Sequence, residues 1–189
     1  MNDFTKQFIV VCWAILVIYM FVSAFRVKRT IERQSNQWRV WAIAIVAAIV
    51  ALRRIGVTGW ISGAVLWKRT MATETVADFC TLFGLLIVLW ARTTLGGNWS
   101  AFVVFKENHD LIERGPYRYM RHPMYSGILI MVLGLAIFYG ILGIFALFAI
   151  YFVGVFFKAS REEMLMTKHF PKAYPDYKKR VKMLIPYVF

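Results

Sequence analysis

Two short segments of this chain concentrate side chains able to bind or react with a polar ligand. They are HDLIERGPYRYMRHPMY at 109–125 and FKASREEMLMTKHF at 157–170. In the first, His122 precedes Pro123, which biases it towards extended backbone. Pro123 suits the first position of a helix, where its missing N–H costs nothing. The backbone N–H groups that follow point out of that helix and favour an anionic group. Tyr117, His122 and Tyr125 crowd the same entrance with hydrogen-bonding groups. In the second segment Lys158 and Glu162 stand four apart and share a helix face. Lys before Glu is the weaker order for helix stability, so a purely structural pair does not account for them. Glu163 points about 100° further round. A carboxylate in this setting can hold ribose hydroxyls or an ammonium group.

Each residue alone has a plainer reading. His122 would be a loop hydrogen-bonder, the tyrosines interfacial anchors, the glutamates solvated charges, and Lys158 a snorkelling boundary residue. The combination depends on the elements that position it. Residues 8–25 carry no charge, and 18 helical residues reach about 27 Å, close to the hydrocarbon thickness of a bilayer. Residues 124–157 contain no Asp, Glu, Lys, Arg or His. The chain therefore reads as an all-α integral membrane protein forming one domain over 1–189. Five spans are expected: 8–25, 38–52, 74–91, and a hairpin of 124–139 and 141–158 turning at Tyr139-Gly140. Residues 53–69 read as a loop with a short interfacial helix, placing Trp60 and Trp67 near the headgroups. Gly127, Gly134, Gly140, Gly143 and Gly154 would let the hairpin arms approach closely. No small-residue cleavage site follows the first apolar run, so a removable signal peptide fits poorly. Cys12 and Cys80 lie in apolar runs and read as buried thiols, neither a disulfide framework nor a metal site.

The net charge is +13, and the cations are distributed unevenly. Eighteen of 23 Lys and Arg fall in the loop after the first span, the 92–123 loop and the segment after Phe157. The positive-inside rule puts those segments in the cytoplasm, with both polar segments at one end of the hairpin. Attraction to anionic membrane lipids is a further role for the basic tail. Nucleic acid is not expected as a partner, because no soluble recognition element is visible in the sequence. Short loops and small size fit a bacterial inner membrane better than an endoplasmic reticulum. No oligomeric state follows from the sequence.

The ordered pattern resembles the isoprenylcysteine carboxyl methyltransferase family of integral membrane enzymes. It comprises His109-x-Leu111-Ile112, Gly115-x-Tyr117 and Arg121-His122-Pro123-x-Tyr125, then Glu162-Glu163, Tyr174-Pro-Asp-Tyr177-Lys-Lys-Arg-Val181 and Ile185-Pro186. LGGNWSA at 95–101 resembles the family's entry into this region, so the likeness runs from Leu95 to Pro186. It implies three generic N-terminal spans over 1–91 and a methyltransferase core over 92–189. That core would comprise a cofactor loop at 92–123, a hairpin at 124–158 and a tail at 159–189, enclosing an S-adenosylmethionine pocket. By this resemblance His109, Leu111 and Ile112 line or bond the cofactor, Tyr117, His122, Pro123 and Tyr125 complete its cradle, and Glu162 holds a polar end. The family commonly places Arg where this chain has Lys158, four residues before the first Glu. Charge is kept, but the planar bidentate fork is lost.

The expected chemistry is methyl transfer to a lipophilic acceptor, with carboxyl methylation of a prenylcysteine-like substrate foremost. A carboxylate acceptor is already ionised, so orientation by Lys158 matters more than a base. An amine or thiol acceptor would need deprotonation, in which His122 or Glu163 could assist. Alternatives are a phospholipid N-methyltransferase or small-thiol S-methyltransferase of similar fold. More distant are a nicotinamide-dependent membrane reductase, for which no Gly-rich dinucleotide loop appears, and a non-enzymatic membrane protein.

Overall fold

A computed structural model describes residues 4–25, 27–33, 63–100, 104–106 and 110–188. The expected second span, Trp60 and most of the 53–69 segment lie outside the described residues. The other four expected spans are helices. They are α1 (Phe4–Ala24), α2 (Met71–Leu95), α3 (Pro123–Tyr139) and α4 (Leu142–His169); a short α5 (Ala173–Arg180) follows. Three of them are long and apolar enough to cross a bilayer; α3 is shorter, with 17 residues and about 25 Å of rise.

Capping residues set the helix limits. Thr70 and Thr73 form a reciprocal capping box, so α2 starts a turn earlier than its apolar run. It stops at Gly96, whose φ of 56° breaks the helical path. Pro123 opens α3 at its first position, as expected, and Gly140 ends it in the left-handed region at φ 61°. α4 runs past the apolar stretch to His169 and terminates before Pro171. At 28 residues it is about 42 Å long, so its last turns extend beyond a bilayer core.

Lipid-facing and protein-facing sides separate cleanly. Val17, Ile18 and Phe21 of α1, Phe79 and Leu86 of α2, and Val153 and Phe157 of α4 are exposed. So much bare apolar surface suits hydrocarbon rather than water. Inside, α2 and α3 meet at glycines: a Cβ on Gly84 would run into the carbonyl of Gly127, and one on Gly127 would meet Gly84 O at 2.6 Å. Gly134 of α3 lies against Thr81 and Ala77 of α2, with Val88 and Met131 fully buried beside the crossing. This differs from the expectation that the glycines join the hairpin arms. Gly127 and Gly134 face α2, Gly140 abuts Trp67, and Gly154 has open space around it. Residues 64–67 are also not helical. Leu66 N donates to Gly140 O (2.7 Å), Leu142 N donates to Ala64 O (3.0 Å), and the Trp67 indole donates to Ile137 O (3.1 Å). Trp67 therefore covers the hairpin turn.

α1 and α2 run parallel, joined near their starts by Thr5 Oγ1 donating to Asp78 (3.1 Å) and near their ends by Arg92 donating to Ser23 O (2.6 Å). At that second end lie the start of α3, the finish of α4 and the tail. An antiparallel ribbon, β1 (Thr30–Arg33) with β2 (Val104–Lys106), joins them there. Its strands are too short and too charged to show a two-residue alternation in sequence. Glu32 of β1 accepts from Lys168 (2.7 Å) and pairs with His169 (2.8 Å), tying the ribbon to the tip of α4.

The glycine contact yields a direct test. Gly127→Ala forces a side-chain atom into the α2 backbone and should destabilise by about 1–3 kcal/mol, the range for overpacking. Gly154→Ala should leave thermal unfolding of the detergent-solubilised protein unchanged, having no atom to meet.

Candidate active site

Between the first turns of α3 and the second half of α4, under residues 110–112 and α5, lies a cavity of about 320 Å³. That volume is within the roughly 300–1,000 Å³ range of small-molecule sites. Tyr151, Lys158, Glu162, Leu165 and Met166 form one wall along α4. The fifteen residue-to-residue steps from Tyr151 to Met166 rise about 22 Å, so the wall continues from the polar end of the helix into its apolar part. His122, Met124, Tyr125 and Ile128 form the α3 wall, and Tyr174 and Tyr177 of α5 close the outer side.

Tyr125 is fixed from three directions. Its hydroxyl donates to Glu162 Oε1 (2.6 Å), His122 stacks on its ring at 5.5 Å and 16°, and the Lys158 ammonium stands 5.0 Å from the ring centroid. His122 Nδ1 lies 3.6 Å from the other Glu162 oxygen. The carboxylate of Glu162 thus borders the cavity with one oxygen anchored and its side chain still 23% exposed, able to accept from a ligand. Tyr177 donates from its hydroxyl to Tyr117 O (2.5 Å), locking α5 to the turn before α3. Burial pushes the hydroxyls of Tyr117 and Tyr177 well above their ordinary pKa, so both stay neutral hydrogen-bonding groups.

Behind this wall sits a buried ion network. Arg121 Nε donates to Glu163 Oε1 at 2.7 Å, with both side chains nearly inaccessible. Arg121 also donates to the Val181 carbonyl and to Lys178 O (3.3 Å). Lys178 Nζ reaches the second Glu163 oxygen (2.7 Å), and His122 Nε2 lies 3.4 Å from the first. The tail adds backbone rungs, with Arg121 N donating to Lys182 O (2.8 Å) and His122 N to Met183 O (3.0 Å). Ser126 Oγ donates to Leu184 O (2.6 Å).

Of the expected site residues, Leu111, Ile112, Tyr117, His122, Tyr125, Lys158 and Glu162 all line this one cavity. Pro123 is buried at the head of α3 and acts through the helix it starts. His109 lies outside the described residues. Glu163, expected as an assistant to the acceptor, turns away from the cavity, because Arg121 and Lys178 occupy its oxygens. Its role is to hold the frame. Arg121, Asn98, Trp99, Tyr151 and the α5 tyrosines line or brace the site without having had an expected role, although all but Tyr151 stand inside the motifs at 95–101, 121–125 and 174–181. Tyr151 had a readable signal: it lies seven residues before Lys158 and eleven before Glu162, on the same helix face.

The donor set fits S-adenosylmethionine. It combines an apolar slot of Leu95, Leu111 and Ile112, a partly exposed carboxylate at Glu162 and phenol hydroxyls, all in a cavity of suitable volume. Removing the central anion tests the frame. Glu163→Ala leaves Arg121 buried without its counter-charge and should cost about 3–5 kcal/mol in thermal or denaturant unfolding. The exposed Glu113–Arg180 pair should matter by less than about 1 kcal/mol when Glu113 is replaced by Ala.

Comparison with known proteins places this geometry. The phospholipid methyltransferase family model matches residues 72–173, more than half of the chain. Protein-S-isoprenylcysteine O-methyltransferase of Dictyostelium discoideum is 28% identical over 123 residues, covering 62% of this chain and 51% of that protein. The nickel-cobalt-cadmium resistance protein NccN of Alcaligenes xylosoxydans xylosoxydans is 27% identical over 149 residues, covering 78% of this chain and 63% of that protein. The chain thus spans about half to two thirds of the length of these curated relatives. Among solved structures, the eukaryotic intramembrane Ras methyltransferase ICMT superposes with a TM-score of 0.52 at 20% identity. The match covers 78% of this chain and 53% of that one, and it establishes a shared fold. The chain is an integral membrane protein belonging to the phospholipid methyltransferase family.

Proposed function

We propose that this protein transfers a methyl group from S-adenosylmethionine to a lipophilic acceptor at the membrane, with carboxyl methylation of a prenylcysteine-like molecule as the reaction it suits best. The observation that carries the reading is the single cavity in which Glu162 and Lys158 share a wall that continues down α4 to Tyr151. A water-soluble donor and a bilayer-borne acceptor can meet only in such a place. The charge distribution supports a cytoplasmic opening, and the short loops support a bacterial inner membrane.

S-adenosylmethionine, when bound, supplies a methyl group on a cationic sulfur that leaves as a neutral thioether. Glu162 accepts from the polar end of the donor, its direction set by the Tyr125 hydroxyl. Leu111 and Ile112 exclude water from the apolar part. Lys158 attracts and orients an acceptor carboxylate, which attacks with its own lone pair and releases no proton. The protein's contribution is then alignment and exclusion of water, worth roughly 7–11 kcal/mol of barrier in well-oriented systems. A cation at the acceptor position favours an anion over the protonated amine of a phospholipid, since like charges repel. This favours the carboxylate reading over phospholipid N-methylation, the second reading that the family name suggests.

Transfer of radiolabelled methyl to prenylcysteine, phosphatidylethanolamine and a small thiol separates the acceptors. The proposal expects a base-labile product from the first, and a base-stable product from the second or third would overturn it. Glu162→Ala should weaken S-adenosylmethionine binding at least about tenfold, the scale of a lost charge-assisted hydrogen bond, with unfolding temperature nearly unchanged. Lys158→Ala should lower turnover with the carboxylate acceptor while leaving donor affinity within about twofold. Lys158→Arg should restore most of that turnover. Loss of donor binding with acceptor kinetics spared would reverse these assignments.

A further inference from the structure

One wall of the cavity has a chemistry that neither Glu162 nor Lys158 explains. Met20 of α1, Leu95 at the end of α2, and Trp99 and Ile112 line it with apolar surface. Asp110 stands at the rim, its side chain 75% exposed and paired to Lys28 at 3.5 Å. Within this uncharged wall sits Asn98, only 7% exposed, whose side-chain oxygen is buried and has no hydrogen-bond partner. Leaving a buried acceptor unpaired is costly, so such a group in a cavity wall calls for a donor from a ligand.

The neighbouring residue is held with unusual firmness. The Arg92 guanidinium lies 4.7 Å above the Trp99 ring and is itself only 3% exposed. It is fixed by donating to Gly96 O (2.7 Å) and Ser23 O (2.6 Å). One cation thus ties together the ends of α1 and α2 and backs the indole with a flat, charged plate. A rigid indole beside a buried carboxamide is the pairing that suits a nucleobase. The ring offers a stacking face, and a carboxamide matches the amino group and adjacent ring nitrogen of adenine.

We propose that Asn98 and Trp99 form the adenine-reading corner of the cavity, with Arg92 as the positioning residue that fixes the indole. This rests on the S-adenosylmethionine reading and deepens it by assigning the base to one wall and the charged amino-acid end to the wall of Glu162. The corner would make the protein selective for the 6-amino group of the base.

Calorimetric titration of the full-length detergent-purified protein with S-adenosylhomocysteine and S-inosylhomocysteine tests this, because the second ligand carries oxygen in place of the 6-amino group. The wild-type protein should prefer the adenine ligand at least about tenfold, as sites built around one hydrogen bond do. Asn98→Ala should reduce that preference to about twofold or less. Asn98→Ser is the milder variant to measure if Asn98→Ala does not purify. Trp99→Ala should weaken both ligands by a similar factor, roughly tenfold, and keep the preference. A preference that survives removal of Asn98, or a wild-type protein without one, overturns the assignment. Failure of both ligands to bind the wild-type protein overturns the S-adenosylmethionine reading itself, which is a distinct result.

Discussion

The site depends on one buried ion pair. Arg121 stands two residues before α3 and Glu163 near the end of α4, and their 2.7 Å contact fixes how far apart the two cavity walls can be. Such a pair is not retained for stability alone, since desolvating two charges cancels most of their attraction. What it gives here is registry. Arg121 also binds the carbonyls of Lys178 and Val181, so α3, α4 and the tail are located by one planar cation. His122 follows directly in sequence and is thereby presented to Glu162 and stacked on Tyr125.

Around that pair the membrane portion supplies a stiff support. α3 is anchored by close glycine contacts to α2, which leaves its other face to form the cavity with α4. Small residues do this work in a bilayer because hydrocarbon provides no hydrophobic drive for helices to associate, and close van der Waals approach must take its place. The same arrangement explains why the polar groups cluster at one end. α4 is longer than the hydrocarbon is thick, so its last turns can carry Glu162 and Glu163 outside the apolar core while Tyr151 stays within it.

Much of this was legible in the residues. Charge-free runs marked α1, α3 and α4, Pro123 and Gly140 marked the ends of α3, and Pro171 the stop of α4. The motif at 121–125 and the Glu162-Glu163 pair pointed to one cavity because both lay at the same end of one hairpin. What was not legible has physical causes. Helix period gives the relative direction of Glu162 and Glu163, but not which of them meets a partner 42 residues earlier in the chain. Glycines announce close approach without naming the partner helix, so α2 was missed as the neighbour of Gly127. The ribbon of Thr30–Arg33 with Val104–Lys106 joins segments too far apart for any local pattern to reveal. Arg92 looked like one more topological cation, although its guanidinium is buried against Trp99.

The central claim is that donor and acceptor share the cavity between α3 and α4. Hydrogen–deuterium exchange of the purified protein with and without S-adenosylhomocysteine tests it most directly. The account predicts ligand-induced protection confined to residues 95–99, 110–112, 117–125 and 174–177 and to the α4 turn around Glu162. Protection at the opposite end of the bundle, around the Gly140 turn, or none at saturating ligand, would contradict it.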